Sequence, residues 1–334
     1  MPSLAENLEH WGSSFDWSRG GGNEWSGGWG GPSFEWWTTL FPRLQGYVPA
    51  SRMLEIAPGA GRWTHFLREL CDELTIVDIA PKVIQTCRER FEDDSRISAH
   101  VGDGSSLPMC SEGSIDLVFS FDSLVHVDLA VLGPYMAEFS RILTPDGVTF
   151  IHHSNMGMYG PETENPAWRD RQISRPVVER LAAANGLRCI SQETLAWNNQ
   201  TILSDCISVI VRQGSRWDRE NVIADNIDFT RGETAMARKF SELYPAWNDN
   251  ARMRVWNPYL LHPEHDRALK LLRSGDPDQG YRLLGTHVAR ELDPDLLSDL
   301  ATLATASGQT TEAQAILTVL AALHPEYGDG APTA

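Results

Sequence analysis

From residue 52 to residue 212 the chain alternates short apolar runs with amphipathic ones, and this alternation constrains the fold more than any other feature. Arg52-Met53-Leu54-Glu55-Ile56 is an apolar run that leads directly into a glycine-rich turn, Ala57-Pro58-Gly59-Ala60-Gly61. Residues 63–73 then have helical spacing, with Phe66, Leu67 and Leu70 on one face. Residues 74–78, 97–101, 115–120 and 148–152 read as further strands, with helices over 80–91 and 132–143. A helix at 176–185 and strands at 188–195 and 206–212 complete the pattern. Such alternation predicts an α/β fold with a Rossmann-like, doubly wound, mostly parallel sheet of seven strands.

The flanks differ in kind. Seven of the twelve Trp residues fall at Trp11, Trp17, Trp25, Trp29, Trp36, Trp37 and Trp63, most of them in a Gly/Ser-rich stretch expected to be an irregular loop over 12–33 and a short helix over 34–44. Residues 1–45 therefore read as a Trp/Gly-rich N-terminal lid, either a hydrophobic wrap or a cover over a ligand with flat apolar faces. Residues 46–214 form the α/β domain and 215–262 a charged, mostly helical extension. Residues 263–327 are expected to be all-helical and tetratricopeptide-like, because Ser274-Gly275-Asp276 to Leu284 aligns with Ser307-Gly308-Gln309 to Leu317. Two such hairpins are too few for a free-standing solenoid. They read as a helical cap, or as a module that binds a protein partner or a second copy.

A formal net charge of -17, with no dense Lys/Arg run, argues against nucleic acid as a partner. Five scattered Cys fit free thiols in a reducing compartment better than a disulfide framework or a zinc cluster. No basic leader and no apolar stretch of about 18 residues is found, so no membrane span is expected and the protein is placed in the cytoplasm.

The glycine-rich turn brings backbone close to a ligand, and the helix after it points its N-terminus there. Gly59 and Gly61 are spaced for this, but the third dinucleotide-type glycine is replaced by Thr64-His65, too bulky for a pyrophosphate site. A ligand without phosphates and with an amino-acid end suits the loop better. Further groups fall at successive strand ends: Glu55 before the turn, Asp78 where a carboxylate accepts ribose hydroxyls, Asp103 beside Gly104 where it can accept from an adenine amino group, and Phe121-Asp122, whose ring can cover the base.

Taken together, residues 54–67, Val77-Asp78, Gly102-Asp103-Gly104, residues 115–128 and Arg141-Ile142-Leu143-Thr144-Pro145-Asp146-Gly147 resemble the ordered motifs of class I S-adenosylmethionine-dependent methyltransferases. The resemblance implies that Glu55, Gly59 and Gly61 hold the methionyl end, Asp78 the ribose, and Asp103-Gly104 the adenine. Arg62, Trp63 and Phe121 join them as cofactor-binding candidates.

Methyl transfer to an alcohol needs a general base, whereas an amine, phenol or thiol needs less help. Two clusters supply candidates: residues 122–128, with Asp122, His126 and Asp128, and His152-His153-Ser154-Asn155. His153 is favoured over His152, since a strand end exposes its later residue. His153 or His126 is expected as the base, with Asp122 orienting it. Asp122, His126, Asp128 and His153 could also hold Mg2+, although no compact ligand spacing demands it and the metal stays unknown. A looser similarity links the Trp/Gly-rich N-terminus, the His-His-Ser-Asn run and the 192–208 segment to bacterial saccharide and glycan O-methyltransferases. It implies Trp25, Trp29, Asn155, Glu193 and Trp197 as acceptor contacts, with Trp168 a further ring for stacking. The competing readings are a small-molecule natural-product O- or N-methyltransferase and a cofactor-binding scaffold whose helical tail recruits a partner.

Overall fold

A computed structural model describes residues 3–17, 21–165, 168–197, 201–243 and 294–323. Two compact units are present, Met1–Phe240 and Ser241–Ala334. The first holds an eight-stranded sheet made of β1 (Ala50–Ile56), β2 (Cys71–Asp78), β3 (Ile97–Val101), β4 (Ile115–Ser120), β5 (Leu143–Ser154), β6 (Leu187–Leu195), β7 (Asp205–Arg212) and β8 (Val222–Asn226). Their spatial order is β3-β2-β1-β4-β5-β7-β6-β8. Only β7 runs against the rest, pairing antiparallel with both β5 and β6. The order reverses between β1 and β4, and the crevice at the carboxyl ends of these strands is where open α/β sheets bind ligands.

The helices of this unit are α1 (Leu4–Glu9), α2 (Pro32–Glu35), α3 (Phe41–Leu44), α4 (Thr64–Leu67), α5 (Pro81–Arg90), α6 (Leu129–Ile142), α7 (Arg175–Ala184) and α8 (Phe229–Leu243). Helix α6 starts at Asp128, whose side chain accepts from the Val131 amide at 3.2 Å. It turns Leu132, Met136 and Phe139, all fully buried, into the same apolar cluster as Leu54 and Val118 of the sheet. Elsewhere in the core Trp36 stacks on Phe66 at 4.9 Å and Phe119 on Phe150 at 5.7 Å. Burying rings of this size contributes roughly 2–3 kcal/mol each.

Three elements depart from the sequence expectations. The helix expected over 63–73 ends early: α4 gives way to a single 3-10 turn, and β2 begins at Cys71 because the parallel ladder already pairs Cys71 with Ala50. Strand β5 extends on both sides of 148–152, since β7 pairs with it residue by residue from Val148 to Ser154. Residues 215–262 are not wholly helical, for Val222–Asn226 adds an eighth strand to the open edge of β6. Helical periodicity could not report that pairing, because a distant edge supplies it.

In the second unit the described residues form α9 (Pro294–Ala306) and α10 (Thr310–Leu323), joined by a turn in which Gly308 takes φ 79°. Leu297, Leu300, Leu303, Ala313 and Leu320 are buried. The 307–317 half of the repeat lies in this hairpin, and the 274–284 half lies outside the described residues.

Candidate active site

The turn after β1 is tightly built. Ala57 takes a left-handed φ of 56°, as Gly59 does at 57° and Gly61 at 86°. A non-glycine residue there costs about 1 kcal/mol and persists only where its surroundings hold it. Here the Ala57 amide donates to the Val77 carbonyl at 2.8 Å, and the Ser120 and Ser123 hydroxyls donate to the Ile56 and Ala57 carbonyls at 3.0 Å each. A side chain at Gly59 would meet the Trp17 ring at 2.8 Å, and one at Gly61 the Phe91 ring at 2.5 Å.

A cavity opens beside this turn. Of the cofactor candidates, Gly59, Arg62, Trp63, Asp78, Gly104 and Phe121 are in its wall, and Glu55, Gly61 and Asp103 are not. The N-terminal segment closes it with Leu4, Trp11, Trp17 and Trp25, and Tyr135 of α6 contributes from behind. Leu4 lies so close to Gly104 that a Cβ there would meet it at 2.6 Å. Three Trp side chains of this segment, Trp11, Trp17 and Trp25, line the cavity, whereas Trp29 and Trp36 are buried in packing.

Glu55 is 1% exposed, and burial pushes its carboxyl up to about 8. Its Oε2 accepts from the Thr64 hydroxyl at 2.5 Å, while Oε1 has no hydrogen-bond partner. Burial likewise raises Asp78 to about 6, although its Oδ1 accepts from the Ala80 amide at 2.8 Å. Asp103 turns away from the cavity. Its carboxylate accepts from the Ser106 hydroxyl and from the Ser105 and Ser106 amides, all at 2.7 Å, and they hold it near 2. Arg62, nearly buried, donates to Asp122 Oδ2 at 3.0 Å and to the Ser26 hydroxyl at 3.3 Å, with its guanidinium over the Trp63 ring.

On the opposite wall His126 and Asp122 both line the cavity. Burial, with Arg169 nearby, holds His126 down at about 4, so its ring is neutral at neutral pH. Its Nδ1 lies 3.2 Å from the Trp168 carbonyl. A carbonyl only accepts, so Nδ1 carries the proton and Nε2 keeps the lone pair. The Asp122 carboxylate goes to Arg62, leaving the orientation of His126 to the backbone of Trp168.

The two His on β5 sit elsewhere than expected. His153 is fully buried outside the cavity wall, its ring nitrogens 2.8 Å from the Ser208 hydroxyl and the Ser154 carbonyl. The strand does not end before it, so it faces into the sheet packing rather than toward an acceptor. His152 stacks on Phe121 at 4.7 Å and accepts the Asp122 amide proton on Nδ1 at 3.1 Å. Its Nε2 therefore donates to Asp205, at 3.1 Å. Arg169 grips the same carboxylate through Nε at 3.0 Å and Nη2 at 2.7 Å. Burial alone would raise the Asp205 pKa, but Arg169 and His152 hold it well below the carboxylate range. A buried chain from Arg169 through Asp205 and His152 thus fixes the backbone of Asp122, itself left-handed at φ 59°.

Of the expected acceptor contacts only Trp25 is in the wall. Trp29 donates to the Thr39 hydroxyl, Asn155 spans the Leu203 carbonyl and the Arg175 amide, Glu193 is chelated by Arg43, and Trp197 packs on Phe229. Among the described residues no group of three or more His, Cys, Asp or Glu comes together as a metal-ligand set. Asp128 is occupied capping α6, and His153 faces away. Trp168, expected as a further stacking ring, is not in this wall, and Asn7, Trp11, Trp17 and Tyr135 were not singled out as site residues by the sequence reading. Only the N-terminal crowding of Trp hinted at any of them.

The wall fits S-adenosylmethionine: glycine backbone at Gly59 and Gly104, aromatic faces for a base, and a carboxylate at Asp78 for ribose hydroxyls, while Glu55 lies buried beneath the loop with one oxygen unpartnered. Residues 53–147 match the family described as a methyltransferase domain. Over 100 residues the chain is 30% identical to Nodulation protein S of Rhizobium tropici, a match covering 30% of this chain and 41% of that protein. It is 31% identical over 118 residues to squalestatin hexaketide synthase of Phoma sp., covering 32% of this chain and 4% of that one. A solved structure of the glycopeptide N-methyltransferase MtfA complexed with S-adenosylmethionine is similar at a TM-score of 0.41 and 17% identity, over 53% of this chain and 87% of that chain. The chain spans less than half the length of these sequence relatives. Residues 53–147 are thus matched as a methyltransferase domain, and the lining of the cavity supports S-adenosylmethionine as the cofactor.

Proposed function

We propose that the chain is an O-methyltransferase acting on a hydroxyl of a saccharide or glycan precursor. The observation that carries this reading is His126, a neutral imidazole in the cavity wall with Nδ1 tied to the Trp168 carbonyl and Nε2 left as an acceptor. An alcohol is a poor nucleophile at neutral pH and needs such a base, whereas an amine does not. Bound S-adenosylmethionine supplies a methyl group on a sulfonium sulfur, which the acceptor oxygen takes as the carbon–sulfur bonding pair stays on sulfur. His126 Nε2 takes the hydroxyl proton. Asp78 and Glu55 hold the cofactor, Arg62 and Asp122 position the loops on either side of it, and the aromatic lid excludes water. Mg2+ is not required by this scheme.

In this reading residues 1–45 are the lid, 46–214 the methyltransferase domain and 215–262 an extension. Residues 263–327 are a tetratricopeptide-like module that takes a protein partner or a second copy. We place the protein in the cytoplasm, a reading supported by five free, buried thiols. No helix among the described residues is long and apolar enough to cross a membrane.

The test is a screen of saccharides, small alcohols and amines with labelled S-adenosylmethionine, run on the wild type and on His126→Ala. On a hydroxyl acceptor the variant should lose roughly 100-fold or more in turnover. Methylation of amines alone, indifferent to His126, would overturn the proposal.

A further inference from the structure

A second, more open cavity lies between the N-terminal segment and the loop that follows β5. Glu6, Glu9 and His10 line it on one side, and Asn165, Trp168 and Arg171 on the other. It adjoins the first cavity through a pair of rings. The His10 ring is 4.4 Å from Trp11, and Trp11 is 5.5 Å from His126, both of which line the first cavity. The Trp168 carbonyl that binds His126 belongs to the second cavity's own aromatic residue.

Trp168 is displayed. It is 56% exposed, whereas Trp29 and Trp197 are 5% and 6% exposed. It adopts a left-handed φ of 55°, a conformation that a bulky residue takes only when its surroundings enforce it. The enforcing contacts are next in the chain. The Asn165 side chain bonds both the amide and the carbonyl of Arg169, at 3.0 and 2.6 Å, and the Arg169 guanidinium is buried against Asp205. The neighbouring residue is an anchor, and its effect is to hold a large indole in solvent with His10 4.9 Å away.

We propose that this second cavity is the acceptor subsite, in which a pyranose ring stacks on Trp168 and presents its hydroxyl past Trp11 to His126. This rests on the saccharide reading above. The apolar face of a sugar ring matches an indole, and its hydroxyls match a rim of carboxylate and imidazole. The charges narrow the class further. Arg169 is committed to Asp205 and Arg171 donates to the Gly160 and Thr163 carbonyls, while Glu6 and Glu9 stand on the opposite side. The ring therefore carries no carboxylate or phosphate.

The experiment compares the wild type with Trp168→Ala and Trp168→Phe on maltotriose, cellotriose, mannotriose, chitotriose and tri-galacturonic acid, using labelled S-adenosylmethionine. Cofactor affinity is measured in parallel to show that each variant is folded. Trp168→Ala keeps the backbone carbonyl that orients His126. It should raise KM for a methylated neutral trisaccharide about tenfold with kcat within about threefold. Trp168→Phe should restore most of the loss, and tri-galacturonic acid should not be methylated. An unchanged KM in Trp168→Ala, on a saccharide that the wild type methylates, overturns the subsite and leaves the saccharide reading standing. Methylation by the wild type of other alcohols or amines but of none of these saccharides overturns both.

Discussion

At the cofactor end of the cleft, each group comes from a residue at or just beyond a strand end: Glu55 on β1 and Gly59 after it, Asp78 on β2, Gly104 after β3, Phe121 after β4. At the proposed acceptor end the groups are gathered from far apart in the chain. His126 is oriented by Trp168, its carbonyl takes a bond from Asn7, and Asp122 is held through His152 by Asp205 and Arg169. The first end uses what a parallel sheet offers at every switch point, backbone and a carboxylate, and fits a ligand that does not vary. The second is held by buried charges and strained backbone, an expensive arrangement that makes sense where a reacting group must be fixed to within a fraction of an ångström.

The comparison breaks most severely at Asp205. Asp205→Ala leaves Arg169 buried without its carboxylate and should cost about 3–5 kcal/mol in a denaturant titration. If it unfolds near the wild-type midpoint, the acceptor end is not held as described. Asp78→Ala tests the other end and should leave the fold nearly intact while weakening S-adenosylmethionine binding roughly 10- to 100-fold by calorimetry.

A third measurement uses proton linkage. Glu55, Glu35 and Asp78 have folded-state pKa values of about 8, 7 and 6, raised by burial above 4.5 for Glu and 3.8 for Asp. Each holds its proton more tightly when folded, so its contribution to stability is present at low pH and is lost as pH rises toward 8. The cofactor-free protein should therefore lose on the order of a few degrees in Tm between pH 5 and pH 8. Glu55→Gln should flatten the profile; a Tm that climbs over this window would contradict the buried-acid assignment. The smallest effect is expected at Ala57, where glycine would relieve the left-handed backbone. Ala57→Gly should raise stability by no more than about 1 kcal/mol, read as a small rise in Tm.

The same contrast explains what was legible in the sequence. The parallel sheet could be read because strand and helix periods alternate locally, and the cofactor turn because Gly59, Gly61 and Asp78 lie within about two dozen residues. For the proposed base the sequence offered two histidines, and the choice between them depends on where β5 ends, which the pairing with β7 determines. Glu193 and Asn155 looked like free polar groups, but Arg43 and Leu203 claim them from distant segments. Trp168 was legible as one of four possible stacking rings, and only the left-handed backbone and the anchored Arg169 set it apart from Trp25, Trp29 and Trp197. Ala57 occupies a glycine-like conformation without being glycine, so no residue type announced it.

Leu4 and Trp17 press against Gly104 and Gly59 so closely that neither glycine has room for a methyl group. The same segment ties the two ends of the cleft together, because Asn7 donates to the carbonyl of His126. If the N-terminal segment lifts to release a ligand of the first cavity, that bond opens with it, and re-closure rebuilds the support of the imidazole. Turnover in such an enzyme is paced by departure as much as by bond making.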